Sequence, residues 1–422
     1  MTKHTFAVIF TLLLWHSISM AMPSPRTLET MVDQALCCNK DLQAKAKNLQ
    51  AACEKVHEKY GAFAPRISLE TGAFQENLNV REDAYSYGYL EAQWNLFRGG
   101  HDVSQLETSR IQYLMAHHEL EKAKKELSYE VAKEFYHLLH LSKAIDLVSQ
   151  AVHANAQYAD IASKKWNSGL TTEVDVIEFQ LQKDQLDTEQ VLLHKELVLH
   201  QIQLAQYLDC LQEAPHIMVV GDFPKLQILD ISSLAHQAFC QRNDKELSSL
   251  EVHLRHAAYC SSRSELLPSV DMIAAYGKEP DSKEERGTGT KISLNISVPL
   301  FDGLSAYRRK RETCHKVREA VLADESLRNI IHAEVATAVN KLELLRCRLE
   351  AEERQEKIAE RYWLLTKEEY SRGTKNSPDL ASAIERLLHS RLQKVSLSKD
   401  YALAFVDLLS VTGAPLQELY NF

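Results

Sequence analysis

Apolar residues between positions 101 and 166 recur at three- and four-residue steps. Leu120, Ala123, Leu127, Val131, Phe135, Leu138, Leu141, Ile145, Val148 and Val152 trace one stripe, which is the signature of an amphipathic helix. No Gly or Pro interrupts this segment, so the pattern predicts a single helix about 100 Å long. A second run of similar length, about 305–371, is rich in Glu, Arg and Lys and has the same character. A different period appears just before each long run. Ile292, Leu294, Ile296, Val298 and Leu300 alternate with Ser293, Asn295 and Ser297. Leu90, Ala92, Trp94 and Leu96 alternate with Tyr89, Glu91, Gln93 and Asn95. Such strict alternation predicts strands with one apolar and one polar face.

These patterns are written twice. Asn95-Leu96-Phe97-Arg98-Gly99-Gly100 returns as Pro299-Leu300-Phe301-Asp302-Gly303-Leu304, shifted by 204 residues. Gly169 and Asp175 return as Gly373 and Asp379 at the same shift. Pro65 and Pro268, and Ala35-Leu36-Cys37 and Ala238-Phe239-Cys240, keep a shift of 203. Each half is therefore predicted to run helix, hairpin, very long helix, turn, helix. The first helix is placed at about 27–60, with its counterpart at about 231–266. The strands fall at about 66–74 and 85–97, then 269–276 and 288–301. The shorter partner helices follow at about 173–211 and 378–412. Between long helix and partner lie the turns 167–172 and 371–377, where Gly supplies a left-handed C-cap and Thr or Ser caps the next helix. The expected division is a leader at 1–21, a first repeat at 22–213, a linker at 214–230 and a second repeat at 231–422.

Composition agrees with long elements. Only 13 Gly and 10 Pro punctuate the 422 residues, which disfavours a loop-rich all-β fold. A net charge of −9 argues against a dedicated nucleic-acid binder. The N-terminus places the chain in a compartment. Lys3 and His4 precede the apolar run at 6–15, and Ser19-Met20-Ala21 offers small residues for cleavage, the layout of a secretory signal peptide. Beyond it no apolar stretch is long enough for a membrane helix. A mature chain that sits in a membrane must then do so through a β-barrel. The charged link 278–286 between the last two strands suits a barrel. The eight Cys, in an exported protein, allow disulfides whose connectivity stays open. They show no metal-ligand spacing, and no catalytic or nucleotide-binding constellation appears. No cofactor is implied.

The chain resembles the TolC-type outer-membrane efflux proteins. The resemblance rests on the strand-end motifs Trp94-Asn95-Leu96-Phe97-Arg98-Gly99-Gly100 and Val298-Pro299-Leu300-Phe301-Asp302-Gly303. It rests equally on the turn motifs Gly169-Leu170-Thr171-Thr172-Glu173-Val174-Asp175-Val176 and Tyr370-Ser371-Arg372-Gly373 through Asp379-Leu380. The fold it implies is mainly α with a small β part. Duplicated long helical hairpins would form an α-helical barrel, and four strands per chain would join a 12-stranded trimeric β-barrel in the outer membrane. The implied function is passive exit for small molecules or proteins, by efflux or type I secretion. An inner-membrane transporter and a periplasmic adaptor would deliver the cargo, and no enzymatic activity is implied. By the same resemblance, Asp175, Tyr370, Lys375 and Asp379 match residues that constrict the periplasmic entrance. Lys375 stands where Arg is the best-known form and lacks its bidentate fork. A further carboxylate expected one turn after Asp379 is replaced by Ser382, and Glu178, one turn after Asp175, is the candidate to compensate. Three copies of Asp379 on an axis would attract cations. The turns, through Gly169, Leu170, Thr171, Gly373 and Thr374, would meet the adaptor. A reading from another class is an exported periplasmic coiled-coil protein without a pore.

Overall fold

A computed structural model describes residues 26–78, 81–226, 231–278 and 288–416. The expected leader, the end of the linker (227–230) and most of the charged link (279–286) lie outside the described residues. The elements are α1 (Leu28–Cys38), α2 (Lys40–Tyr60), β1 (Arg66–Leu78), β2 (Arg81–Arg98), α3 (His101–Asn167) and α4 (Glu173–Tyr207). They are followed by α5 (Ile231–Gln241), α6 (Asn243–Ser264), β3 (Ser269–Lys278), β4 (Gly289–Ser297), α7 (Ser305–Ser371) and α8 (Ser377–Thr412). The second set repeats the order of the first. The fold is mainly α with one four-stranded antiparallel sheet, as the alternating and helical periods predict.

Several boundaries differ from the sequence expectation, and β1 and β2 run further toward each other than the expected 66–74 and 85–97. The helix expected over 27–60 is two helices, broken at Asn39. Its side-chain Oδ1 accepts from the backbone N–H of Asp41 and Leu42 at 3.0 and 3.1 Å and so caps α2 at its start. The counterpart breaks at the equivalent Arg242, whose backbone is extended and whose guanidinium holds Asp244. No Gly or Pro announces either break. The strand expected to reach 301 ends at Ser297. The β3–β4 ladder closes with Ser269 opposite Ser297, Pro268 precedes β3, and Pro299 has no N–H to donate. By contrast β2 continues to Arg98 because β3 pairs with its second side. The helix expected to reach 211 stops at Tyr207, and a 3-10 segment at Leu211–His216 follows.

The chain divides into two compact units that do not follow the sequence repeats. One comprises Met1–Cys37, Val131–Phe223 and Ala351–Lys399. Its interior includes Val131, Phe135, Leu138, Leu141 and Val148 of α3, on the stripe read from the sequence. Leu186 and Leu204 of α4 and Leu380 and Ile384 of α8 join them. The other comprises Cys38–Glu130, Pro224–Glu350 and Asp400–Phe422. It buries Ile331, Val335 and Val339 of α7 with Tyr401, Phe405 and Leu409 of α8. Here Arg242 grips Asp244 and Glu334, and Lys125 Nζ donates to the carbonyls of Gln241 and Gly413 at 3.2 and 2.9 Å. Burial pushes the Lys125 ammonium below its usual range, partly offset by Glu121.

The sheet, in the second unit, has the strand order β1-β2-β3-β4. Its apolar face points outward. Ile67, Leu69, Leu90, Trp94, Leu96, Leu294 and Ile296 are exposed, and Ile292 reaches 73% exposure. On the opposite face the polar Ser68, Glu91, Gln93, Asn95, Asp271 and Ser293 are half-buried, while Lys291, Asn295 and Ser297 of the edge strand β4 are exposed. Asn95 and Asp271 stand opposite each other across the β2–β3 ladder. The Oδ1 atom of each has no hydrogen-bond partner among the described residues. Neither β1 nor β4 has a partner on its outer edge among the described residues. None of the eight Cys forms a disulfide. Among the described residues, no helix is long and apolar enough to cross a membrane.

Candidate functional site

Both helical turns lie in the first unit and are built by the same local chemistry. In each, a Gly ends the long helix with positive φ, +71° at Gly169 and +80° at Gly373. No atom crowds either Cα, so it is the backbone angle that calls for Gly. Gly169 N–H donates to Trp166 O at 2.8 Å and Leu170 N–H to Lys165 O at 2.9 Å. Gly373 and Thr374 repeat both bonds, to Tyr370 O and Glu369 O. This is the Schellman closure, which satisfies the last helical carbonyls. Thr374 Oγ1 also donates to Glu369 O at 2.9 Å.

The next helices start alike. The Asp175 carboxylate reaches back to the Thr172 N–H at 3.2 Å, and Asp379 reaches back to the Asn376 N–H at 3.5 Å. Each Asp occupies the third helical position and satisfies an orphan donor, as in a capping box. Around Asp175 the arrangement is denser. The hydroxyl of Thr171 donates to it, and that of Thr172 donates at 2.9 Å. Burial alone pushes this carboxyl up. Hydrogen bonds from Thr171, Thr172 and Ser377 and from the Thr172 amide outweigh burial and hold it at about 2. Ser377 stands at the start of α8, so the carboxyl at the start of α4 responds to both turns.

The expected residues therefore divide. Ser377 lies 3.5 Å from the Tyr370 hydroxyl and is near enough to Asp175 to help lower its carboxyl, so these three sit at the adjoining turns. Tyr370 is buried with Ala162, Val176, Phe179, Leu380, Ala381 and Ile384. Its ring meets Tyr158 edge-on and carries the Lys165 ammonium 4.1 Å from its centroid, a cation–π geometry. Lys375 and Asp379 face each other at 3.8 Å, four residues apart, each side chain a little under half exposed. Glu178 is half-buried and forms no ion pair among the described residues. No bond joins Asp175 to Lys375 among the described residues. Gly169, Leu170, Gly373 and Thr374 are exposed, Leu170 to 78%, while Thr171 turns inward toward Asp175.

Sequence reasoning gave no site role to Lys165, Phe179 or Ser377. Ser377 was visible only as a turn residue. Lys165 is one of two adjacent lysines in the last turn of α3, a pattern that also serves the helix dipole. Nothing local distinguishes it as the partner of a ring some 200 residues away. The arrangement holds a buried aromatic group, a low-pKa carboxylate and an exposed Lys–Asp pair at two adjoining turns. It has no nucleophile–base pair among the residues described.

A family model described as outer membrane efflux protein matches residues 31–209 and again 234–414. Several solved structures share the fold. A membrane protein from Pseudomonas aeruginosa superimposes with a TM-score of 0.81 at 19% identity, covering 92% of this chain and 90% of that one. The outer membrane protein VceC from Vibrio cholerae gives 0.81 at 18% identity, over 92% and 96%. The outer membrane channel CmeC from Campylobacter jejuni gives 0.80 at 15%, over 92% and 85%. No curated protein matches the chain.

Proposed function

The chain belongs to the outer membrane efflux protein family, and on that premise we propose that it is one subunit of a homotrimeric outer-membrane channel-tunnel. The observation that carries this reading is the inverted sheet. Its apolar face is exposed and the polar face of β1 to β3 half-buried, the reverse of a soluble sheet and the arrangement of a strand between lipid and a wet lumen. A four-stranded sheet with two open edges is intolerable in hydrocarbon. Three chains joined β4 to β1 supply 12 strands and remove every edge. Asn95 and Asp271 would then find water as their missing partner, since unsatisfied buried oxygens demand one. The periplasmic coiled-coil alternative assigns no role to this exposed apolar face.

We read the two halves, 22–213 and 231–422, as structural repeats joined by the linker 214–230, with the helices extending into the periplasm. The turns form its constricted end. Asp175, Glu178, Tyr370, Lys375 and Asp379 line or support the constriction, and Gly169, Leu170, Thr171, Gly373 and Thr374 meet a periplasmic adaptor. Exposed turns rich in small residues suit close approach of another helix tip. The channel conducts passively, with energy supplied by an inner-membrane transporter, in drug efflux or type I secretion. Opening is a movement between packed helices. It breaks contacts at the turns, of which the exposed Lys375–Asp379 pair is the weakest.

Membrane fractionation and planar-bilayer recording test the reading. The expected result is a detergent-requiring trimer that conducts ions. Full solubility without detergent after leader removal would sink it. Replacing both Asp175 and Lys375 by Ala is expected to raise single-channel conductance, and an unchanged conductance refutes their part in the constriction.

A further inference from the structure

The start of α7 carries a concentration of positive charge, most of it without an ion-pair partner among the described residues. Arg308, Arg309, Lys310 and Arg311 are consecutive, and Lys316 and Arg318 follow one to two turns later. Between 305 and 318 six cationic side chains face one carboxylate, Glu312, in a chain whose net charge is −9. Two of the six are paired. Arg309 binds Glu265 and Lys316 binds Glu312. Arg308, Lys310, Arg311 and Arg318 form no ion pair among the described residues, and all but Lys310 are exposed.

Helix formation does not call for these cations. The positive end of the helix dipole disfavours them, and α7 has no acidic residue in its first turn. Asp302 Oδ2 already accepts the Ala306 N–H at 2.7 Å and caps the helix. The duplicated frame supplies a control within the same molecule. At the shift of 204, Arg308, Arg309, Lys310 and Arg311 correspond to Ser104, Gln105, Leu106 and Glu107. There α3 forms with the same length and no basic cluster.

What precedes the cluster identifies its environment. β4 ends at Ser297, and the chain then exposes Val298, Leu300 at 92%, Phe301 at 82%, Leu304 and Tyr307. The order along the chain is apolar strand face, exposed apolar and aromatic residues, then cations. That is the order met in passing from hydrocarbon through the interfacial belt to lipid headgroups. Long Arg and Lys side chains keep their charge at headgroup level while their stems cover apolar surface.

We propose that the start of α7 is a docking surface for anionic phospholipid headgroups of the leaflet at which β4 ends. Arg308, Lys310, Arg311 and Arg318 supply the charge, and Phe301 and Tyr307 the interfacial anchor. This rests on the barrel reading above. Because the cluster occurs in only one repeat, a trimer carries three such surfaces rather than six.

The test uses the full chain in nanodiscs of phosphatidylethanolamine with and without cardiolipin. It compares the native sequence with a variant bearing Arg308→Gln, Lys310→Gln, Arg311→Gln and Arg318→Gln. A control variant carries Arg354→Gln, Lys357→Gln and Arg361→Gln, exposed cations later on the same helix. Native mass spectrometry counts the cardiolipin retained after detergent extraction, and bilayer recording is run in parallel. Each cation near an anionic surface is worth about fivefold in partitioning, so the fourfold variant is expected to lose cardiolipin by about tenfold or more. The native chain and the control keep it, added salt weakens it, and all three conduct alike. Conducting channels whose cardiolipin retention is unchanged in the fourfold variant overturn the docking surface and leave the barrel reading standing. A chain that neither inserts nor conducts overturns both.

Discussion

The two helical turns are copies of one design and have diverged in what surrounds them. Both close with a Gly at positive φ, and both open the next helix with an Asp that reaches back to the cap N–H. In the first turn that Asp collects hydroxyls from Thr171 and Thr172. In the second, Asp379 shares an exposed contact with Lys375. The aromatic partners diverge the other way. Tyr370 is buried at 7% exposure while its counterpart Trp166 stands 44% exposed. Phe179 is fully buried where the second repeat places the smaller, equally buried Ala383. The buried cluster takes Phe179 from the first repeat and Tyr370 from the second, and a close-packed interior leaves little room there for a further ring. The comparison teaches that duplication conserves backbone devices and leaves side-chain volume and charge to diverge.

The strongest way to break this comparison is Phe179→Ala. It is expected to cost about 3–5 kcal/mol, read as a lowered denaturation midpoint in detergent, because nothing else fills the cluster. Overfilling the counterpart by Ala383→Phe should cost about 1–3 kcal/mol by forcing its neighbours off their rotamers. A clear stabilisation by that change would show that the two sites are not competing for volume. Removing the carboxylate by Asp175→Ala should cost about 1 kcal/mol through the lost cap interactions. Asp379→Ala should cost about 0.3–0.5 kcal/mol, the scale of an exposed pair four residues apart. Equal losses would mean that the hydroxyls around Asp175 contribute nothing. pH sharpens the same contrast. The Asp175 carboxyl is held at about 2, below its ordinary 3.8, so its contribution is complete above about 4 and lost as pH falls through about 2. The stability gap between the native chain and Asp175→Asn should therefore close over that window.

Much of this was readable without coordinates. The apolar stripe from Leu120 to Val152, the alternation at 292–300 and the shift of 204 all use near neighbours, and they yield helix, strand and repeat. The turn glycines were readable because positive φ excludes most other residues. The breaks at Asn39 and Arg242 were not. An Asn cap without Gly or Pro looks like any polar position of an amphipathic helix, and Arg242 is held by Glu334, which is distant in sequence. Within the candidate site, Asp175, Tyr370 and Asp379 were singled out because the turn motifs resemble those of the family, at their spacing from the turn glycines. Their partners were not identified. Lys165 and Ser377 acquire a role only when the two turns meet, and Lys375 proves to face Asp379 of its own turn within the chain rather than Asp175.

By itself the sequence determined the duplicated order of elements, the lengths of α3 and α7, the closure of both turns and the two-faced strands. All of these depend on periodicity and capping within a few residues of chain. Only the tertiary structure decided that the apolar strand faces stay exposed while much of the polar face is half-buried. It also decided that one turn buries its aromatic ring while the other presents it to solvent, and which hydroxyls lower the Asp175 carboxyl. Those outcomes depend on which segments, some 200 residues apart, occupy the same space. Packing volume and hydrogen-bond satisfaction settle that competition, and no local pattern encodes it.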